Sequence, residues 1–235
     1  MKKSLILAAT VGGLCVGGVP AAANAQVTLD AEAALLSSYV WRGFELADGV
    51  SVQPSLTLGL GSSGFSLNVW GSAALQDRDA LEAADELDFT LNYDGAIGES
   101  AGFSLGYIQY TFPNAPEGYK HTEEFYAALG LGSVLAPYLF AAYDFGLTDG
   151  LYLSAGVAPE IALGESAALA LDGLVALSDY VDGFAFHHVQ ATASVGFAAG
   201  ALTITPTAGF SYAADEINAD NSGFWAGVVV GLSLY

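Results

Sequence analysis

The chain has 235 residues, 53% of them hydrophobic, with 25 acidic against 5 basic side chains and a formal net charge of −20. So acidic a balance provides no basic patch to displace counterions from phosphates, which excludes nucleic acid as a partner. The single cysteine, Cys15, excludes an internal disulfide framework.

The first segment, MKKSLILAATVGGLCVGGVPAAANA, has a cationic head, a glycine-broken apolar stretch and the small-residue finish Ala23-Asn24-Ala25. It reads as a secretory signal peptide over residues 1–25, leaving a mature domain over 26–235. A spanning helix would need about 20 uninterrupted apolar residues. Leu14 stands where a lipid-anchor site wants a small residue, which argues against anchoring through Cys15. The mature chain therefore carries no thiol, and three bases face 25 acids. No linker or compositional break divides it, so one domain is expected.

Beyond the leader the dominant period is two. In VSVQPSLTLGLG the apolar set Val50, Val52, Pro54, Leu56, Leu58 and Leu60 alternates with Ser51, Gln53, Ser55, Thr57 and Gly59. ELDFTLNYD and ALTITPTAGFSYAA repeat the pattern. Such runs predict twelve strands, at roughly 28–42, 50–60, 65–76, 86–95, 102–112, 122–132, 137–145, 151–163, 167–178, 184–198, 202–213 and 223–235. Many are about ten residues long, the length of a tilted strand that crosses a bilayer, whereas strands of soluble domains run about 5 to 6. GFSLGYIQYTF has an ambiguous phase that fits either a bulge or an aromatic-lined lumen.

Short, nearly uncharged connections (GLGSSG, AIGESAG, GSVLA, LGES, FAAGA) alternate with longer acidic ones: RGFELADG, LQDRDALEAADE, TFPNAPEGYKHTEE, FGLTDG, SDYVDGF and ADEINADNSG. Tight turns on one side and long loops on the other are the asymmetry of an outer-membrane barrel. Hydrocarbon offers no hydrogen-bond partner, so a spanning sheet must close on itself. The expectation is an all-β, antiparallel transmembrane barrel of about twelve strands, in outer-membrane lipid and lipopolysaccharide. A soluble β-sandwich is the alternative, with shorter strands. The last segment, FWAGVVVGLSLY, has one apolar face and a terminal Tyr235, resembling the strand that outer-membrane assembly machinery takes as a partner. Aromatics near strand ends (Tyr39, Trp41, Tyr93, Phe103, Phe125, Tyr143, Phe145, Phe197, Tyr212 and Phe224) are expected to form interfacial girdles.

The core Tyr39-Val40-Trp41-Arg42-Gly43, followed by Gln53-Pro54 and Trp70 and then by DELDFTLNY, GYIQYTFP and TEEFYAALGL, resembles the TorF family of porins, first catalogued as conserved bacterial proteins of unknown function. The resemblance runs from about residue 30 onward and is diffuse after about 165. It implies a signal-bearing outer-membrane barrel with a channel role and carries no catalytic residues.

If Leu29, Ala31, Ala33, Leu35, Tyr39 and Trp41 face lipid, then Asp30, Glu32, Ser38 and Arg42 face the lumen. An arginine on the lipid side would be unfavourable by about 2–4 kcal/mol at mid-depth. The same phase points Asp88, Glu124, Asp144, Glu160 and Asp172 inward. Two roles are open for Arg42: an ion pair fastening the top of the first strand to a neighbouring loop, or half of a transverse field opposite the acids. Twelve strands about 4.8 Å apart and tilted about 40° give a backbone diameter near 24 Å, and side chains narrow it further. Gly59, Ser66, Ala74, Ala128, Gly130, Ser154, Gly156 and Ala170 would keep a waterway open, whereas Trp70, Tyr126, Tyr138, Phe140, Tyr152 and Trp225 would close it. Acids outnumber the wall arginine, so a passive channel favouring cations or small neutral solutes is expected.

Two other classes are weaker. A Ser/His lipid hydrolase finds no nucleophile motif, and His187 falls on the outward phase with Val189 and Ala191. A non-conducting barrel with cation-binding loops finds neither DEINADNSG nor QDRDALEAADE spaced as a calcium loop. No cofactor and no metal are expected, and the oligomeric state is left open.

Overall fold

The computed structural model describes residues 26–76, 85–181 and 183–234. Residues 1–25, where the leader is expected, most of the acidic stretch around Arg78 and the terminal Tyr235 lie outside them. Thirteen strands appear in chain order: β1 Thr28–Trp41, β2 Phe44–Gly59, β3 Phe65–Ala74, β4 Glu86–Ile97, β5 Ala101–Thr111, β6 His121–Leu131, β7 Pro137–Asp144, β8 Gly150–Val157, β9 Glu160–Ala162, β10 Ala167–Ser178, β11 Ala185–Ala199, β12 Leu202–Ala213 and β13 Ser222–Leu234. β9 continues β8 after a break at Ala158-Pro159, and both pair with β10. The result is a closed antiparallel barrel of twelve staves, sealed where β1 pairs with β13 from Leu29↔Leu234 to Leu36↔Gly227.

Closure follows from the sequence period. Strand residues alternate between outward leucines, such as Leu91 at 46% exposure, and inward small or polar groups. Leu56, Leu67, Leu105, Leu139, Ile204 and Leu232 continue the outward belt. A band of this extent is stable only in an apolar solvent, since water would drive its association. No helix among the described residues is long and apolar enough to cross a membrane, and here the strands have the spanning length. Two outward aromatic clusters mark opposite ends: Phe65, Tyr93 and Phe103 near the chain termini, and Tyr107, Phe125 and Phe145 near the longer loops. β5 pairs with β4 and β6 without a register shift. Ile108 and Tyr110 therefore point inward, so the ambiguous phase there resolves to an aromatic lumen rather than a bulge.

The first hairpin departs from expectation. RGFELADG is not a long loop: β2 starts at Phe44, opposite Trp41, and Arg42-Gly43 alone make the turn. Both have positive φ, 48° and 85°, as a type I′ hairpin requires, and glycine accepts the second position freely. Glu45 and Asp48 are strand residues at the rim.

Two irregularities in pairing, at Leu36/Ser38 and Tyr39/Val40, bend this hairpin. The Ser37 hydroxyl takes up the Ala226 N–H at 3.0 Å across the seam. Past the bulge the phase inverts: Tyr39, expected in the lipid girdle, is 2% exposed and faces the lumen, and Trp41 follows it inside.

Close approach also shapes the seam. A Cβ on Gly227 would overlap the Leu35 carbonyl oxygen, so Gly227→Ala should destabilise the closure by about 1–3 kcal/mol. The loss would be read as a lower temperature for the folded-to-unfolded band shift in gel electrophoresis. Inside the lumen, three aromatics lie flat over the glycine directly opposite: Tyr126 on Gly106, Tyr138 on Gly156 and Trp225 on Gly209. These pairs place large rings in the lumen without separating the strands.

Candidate functional site

The bent hairpin carries its tip across the lumen. Around Arg42 gather side chains from the far wall: Glu124 on β6, Phe140 on β7, Tyr152 on β8 and Tyr180 in the β10–β11 loop. The guanidinium binds Glu124 in two places, Nη1 to Oε2 at 2.7 Å and Nη2 to Oε1 at 2.8 Å. Nη1 also donates to the Tyr180 hydroxyl at 2.7 Å. Its planar face lies 4.5 Å from the Tyr152 ring centroid and 4.6 Å from that of Trp41. The Tyr110 hydroxyl adds a 3.3 Å contact to Glu124. Both charged side chains are almost wholly buried, at 7% and 1% exposure. A charge withdrawn from water this far is tolerated only when geometry and hydrogen bonds compensate it, and the forked pairing does so. Burial pushes the Tyr180 phenol above its ordinary value, against the opposing pull of Arg42, and keeps it a neutral hydrogen-bonding partner.

The backbone of the tip is held as well. The Arg42 carbonyl lies 2.7 Å from His187 Nε2 and can only accept, so that nitrogen carries the proton. His187 Nδ1 is then the acceptor for the Ser178 hydroxyl at 2.6 Å. Phe44 packs edge-on against His187, and Gly43 lies against His188 and Ala213, with no room for a larger residue.

His187 was expected to face outward. A register shift opposite Ala176/Leu177 makes it the extra residue of a bulge, which turns His187 and His188 inward together at 1% exposure each. Ser178 and His187 have the spacing of a nucleophile and its base. Both are sealed in the interior, and the other ring nitrogen is spent on the Arg42 carbonyl.

Around this dock the upper lumen is filled. Trp70, Tyr126, Tyr138, Phe140, Tyr152 and Trp225, the residues expected to close the channel, are all buried within it. In the half nearer the termini the inward residues Asp30, Glu32, Thr57 and Asn92 are partly exposed. The lumen is therefore packed toward the long loops, and toward the short turns it is open along β1, β2 and β4 while Ser104, Tyr138 and Ala168 on β5, β7 and β10 are buried.

The sequence-derived acids are distributed along this gradient. Arg42 and Glu124 meet. Asp144, opposite Glu124 in the ladder, is occupied locally: it accepts from Thr122 Oγ1 at 2.8 and 2.9 Å and from the N–H groups of Gly146 and Thr148. Asp88 lies beside Glu86, and the Tyr39 hydroxyl donates to Glu86 at 2.8 Å. Asp172 accepts from Tyr138 at 3.0 Å. Glu32 and Glu160 lie apart from the dock, Glu160 exposed on the short β9. Sequence reasoning did not select Glu86, Ser178, Tyr180 or His188. Only Glu86 left a signal, its two-residue spacing from Asp88 placing both carboxyls on one strand face.

A model of a bacterial protein family of unknown function, Gcw_chp, matches residues 20–204. The chain belongs to the Gcw_chp family. No curated protein matches it in sequence. Among solved structures, the NanC porin is similar at 11% identity and a TM-score of 0.52, over 88% of this chain and 99% of that one. The COG4313 outer membrane channel from Pseudomonas putida F1 is similar at 13% identity and 0.51, over 92% and 97%. LpxR from Salmonella typhimurium is similar at 7% and 0.52, over 88% and 99%. At these identities the likeness concerns fold alone: this Gcw_chp chain has the barrel of outer-membrane porins and channels.

Proposed function

We propose that this Gcw_chp protein is a narrow passive diffusion channel of the outer membrane, favouring small cations or neutral solutes, as its resemblance to the TorF porins also suggests. In this reading the leader over residues 1–25 directs export and is cleaved, the C-terminal strand engages the assembly machinery, and the long loops face the lipopolysaccharide. The barrel acts as a pore and not as an enzyme.

The observation that carries the proposal is the charge left on the wall. Arg42, the one basic side chain inside the lumen among the described residues, is consumed by Glu124. Glu86, Asp88, Asp144 and Asp172 remain along the path with no basic side chain paired to them among the described residues. A narrow passage lined by one sign of charge concentrates the opposite ion. The packed upper half supports a second reading, a barrel that conducts nothing in its resting state. Purified protein in planar bilayers separates the two. We expect discrete conductance steps and a reversal potential in a potassium chloride gradient of the sign set by potassium. Anion preference would refute the selectivity, and silence in both wild type and hairpin variants would favour the inert barrel.

A further inference from the structure

Beside the dock lies a small cavity of about 10 Å³, lined in part by Asp88, Asn68, Thr90, Tyr39, Trp70 and Tyr110. It has room for one occupant of the size of a water molecule. Asp88 is 7% exposed, and its Oδ1 atom is fully buried with no hydrogen-bond partner among the described residues. A buried carboxylate oxygen left unpaired is costly and calls for a ligand.

Glu86 stands two residues before Asp88 on the same inward face of β4, and both side chains are buried. Two carboxyls on one inward face repel each other when both are ionised, and a cation beside them relieves that repulsion. Tyr39 supplies a neutral donor to Glu86, and among the described residues no basic side chain is paired with either acid. Arg42 has its charge matched by Glu124. The cavity thus combines an acid with no basic partner among the described residues, amide and hydroxyl oxygens of Asn68 and Thr90, and the aromatic rings of Tyr39, Trp70 and Tyr110, which attract cations.

We propose that this cavity is a resting site for one small monovalent cation of the size of sodium, potassium or ammonium, bound at Asp88 Oδ1. A water molecule would satisfy the oxygen alone, whereas a monovalent ion also offsets the repulsion between the two neighbouring carboxyls. A divalent ion would need more oxygen ligands than Asp88, Asn68 and Thr90 supply. The site deepens the cation-channel reading and rests on it for its role in conduction; binding itself does not require an open pore.

Trp70 and Trp41, two of the three tryptophans, line the cavity, so occupancy is readable by intrinsic fluorescence. The purified full-length barrel in detergent would be titrated with sodium, potassium and ammonium chloride, using tetramethylammonium chloride to hold ionic strength constant. A saturable emission change with at least one small cation is expected, weakened about tenfold or more in Asp88→Asn. Identical titrations by every small cation and by tetramethylammonium alone would overturn the proposal, as would an Asp88→Asn barrel that titrates like wild type. Should Asp88→Asn fail to fold, the double variant Trp41→Phe/Trp70→Phe serves instead, with Trp225 as the remaining emitter: loss of most of the saturable signal supports the site, and full retention overturns it. Saturable binding in a silent barrel would sink the channel and keep the site. Cation-selective conductance with no saturable binding would do the reverse.

Discussion

Replacing Glu124 with glutamine should release the hairpin tip and raise conductance. The substitution leaves Arg42 buried without its carboxylate, and breaking one side of a buried ion pair costs about 3–5 kcal/mol. The remaining contacts of the tip are the Tyr180 hydroxyl, the ring faces of Trp41 and Tyr152, and the His187 bond to the Arg42 carbonyl. These are mostly neutral and would not hold an unpaired guanidinium out of water. Arg42→Ala should act in the same direction, by stranding Glu124 instead. Because the two residues share one interaction, the double variant should lose much less than the sum of the single losses. Single-channel recording and thermal melting, run on the same four proteins, test this. Unchanged conductance and selectivity in Arg42→Ala together with a lower melting temperature would make the pair a structural fastener only.

Placing an arginine at Leu91 should destabilise the barrel by about 2–4 kcal/mol, whereas the same residue at its neighbour Asn92 should cost much less. Leu91 lies in the middle of β4 with its side chain outward at 46% exposure, and Asn92 points into the lumen, where its amide oxygen accepts from Tyr126 at 2.6 Å. Lipid cannot hydrate a guanidinium at that depth, and the open part of the lumen along β4 can. Urea unfolding of the two variants in lipid vesicles gives the comparison. Equal stability of Leu91→Arg and wild type would mean that the leucine face does not lie in hydrocarbon, and a spin label at Leu58 or Leu91 reporting water would say the same.

How much of this was legible in the sequence depended on whether the period of two ran unbroken. Along β3, β4 and β12 it does, and strand positions, faces and the inward placement of Asp88 can be read from alternation alone. Bulges defeated the same rule twice. At Ser37 the phase inverted and put Tyr39 and Trp41 inside instead of in the girdle, and at His187 it turned two adjacent histidines to the same face. A bulge adds one residue to one strand only, so nothing in that strand's own alternation announces it. The first turn was concealed for another reason: Glu45 and Asp48 made a strand rim resemble a loop, and only the positive-φ demand at Arg42-Gly43 distinguishes them. That Arg42 would find its partner on β6, 82 positions away, is a property of the closed barrel and of no local pattern.

The turn that crosses this lumen is the shortest connection at its end of the barrel, not one of the long ones. A loop of several residues can swing free on its two stems, but a two-residue turn moves only with the strands that feed it. Below the Ser37 bulge those strands are laddered to β13 on one side and β3 on the other. Any uncorking must therefore pivot at that bulge and strip only the few rungs above it, so the wall itself is the lever. The cork also cannot be seated before the wall is complete, because its seat is assembled from β6, β7, β8, β11 and β12 at once. Sealing of the bore is, on this architecture, the last act of folding.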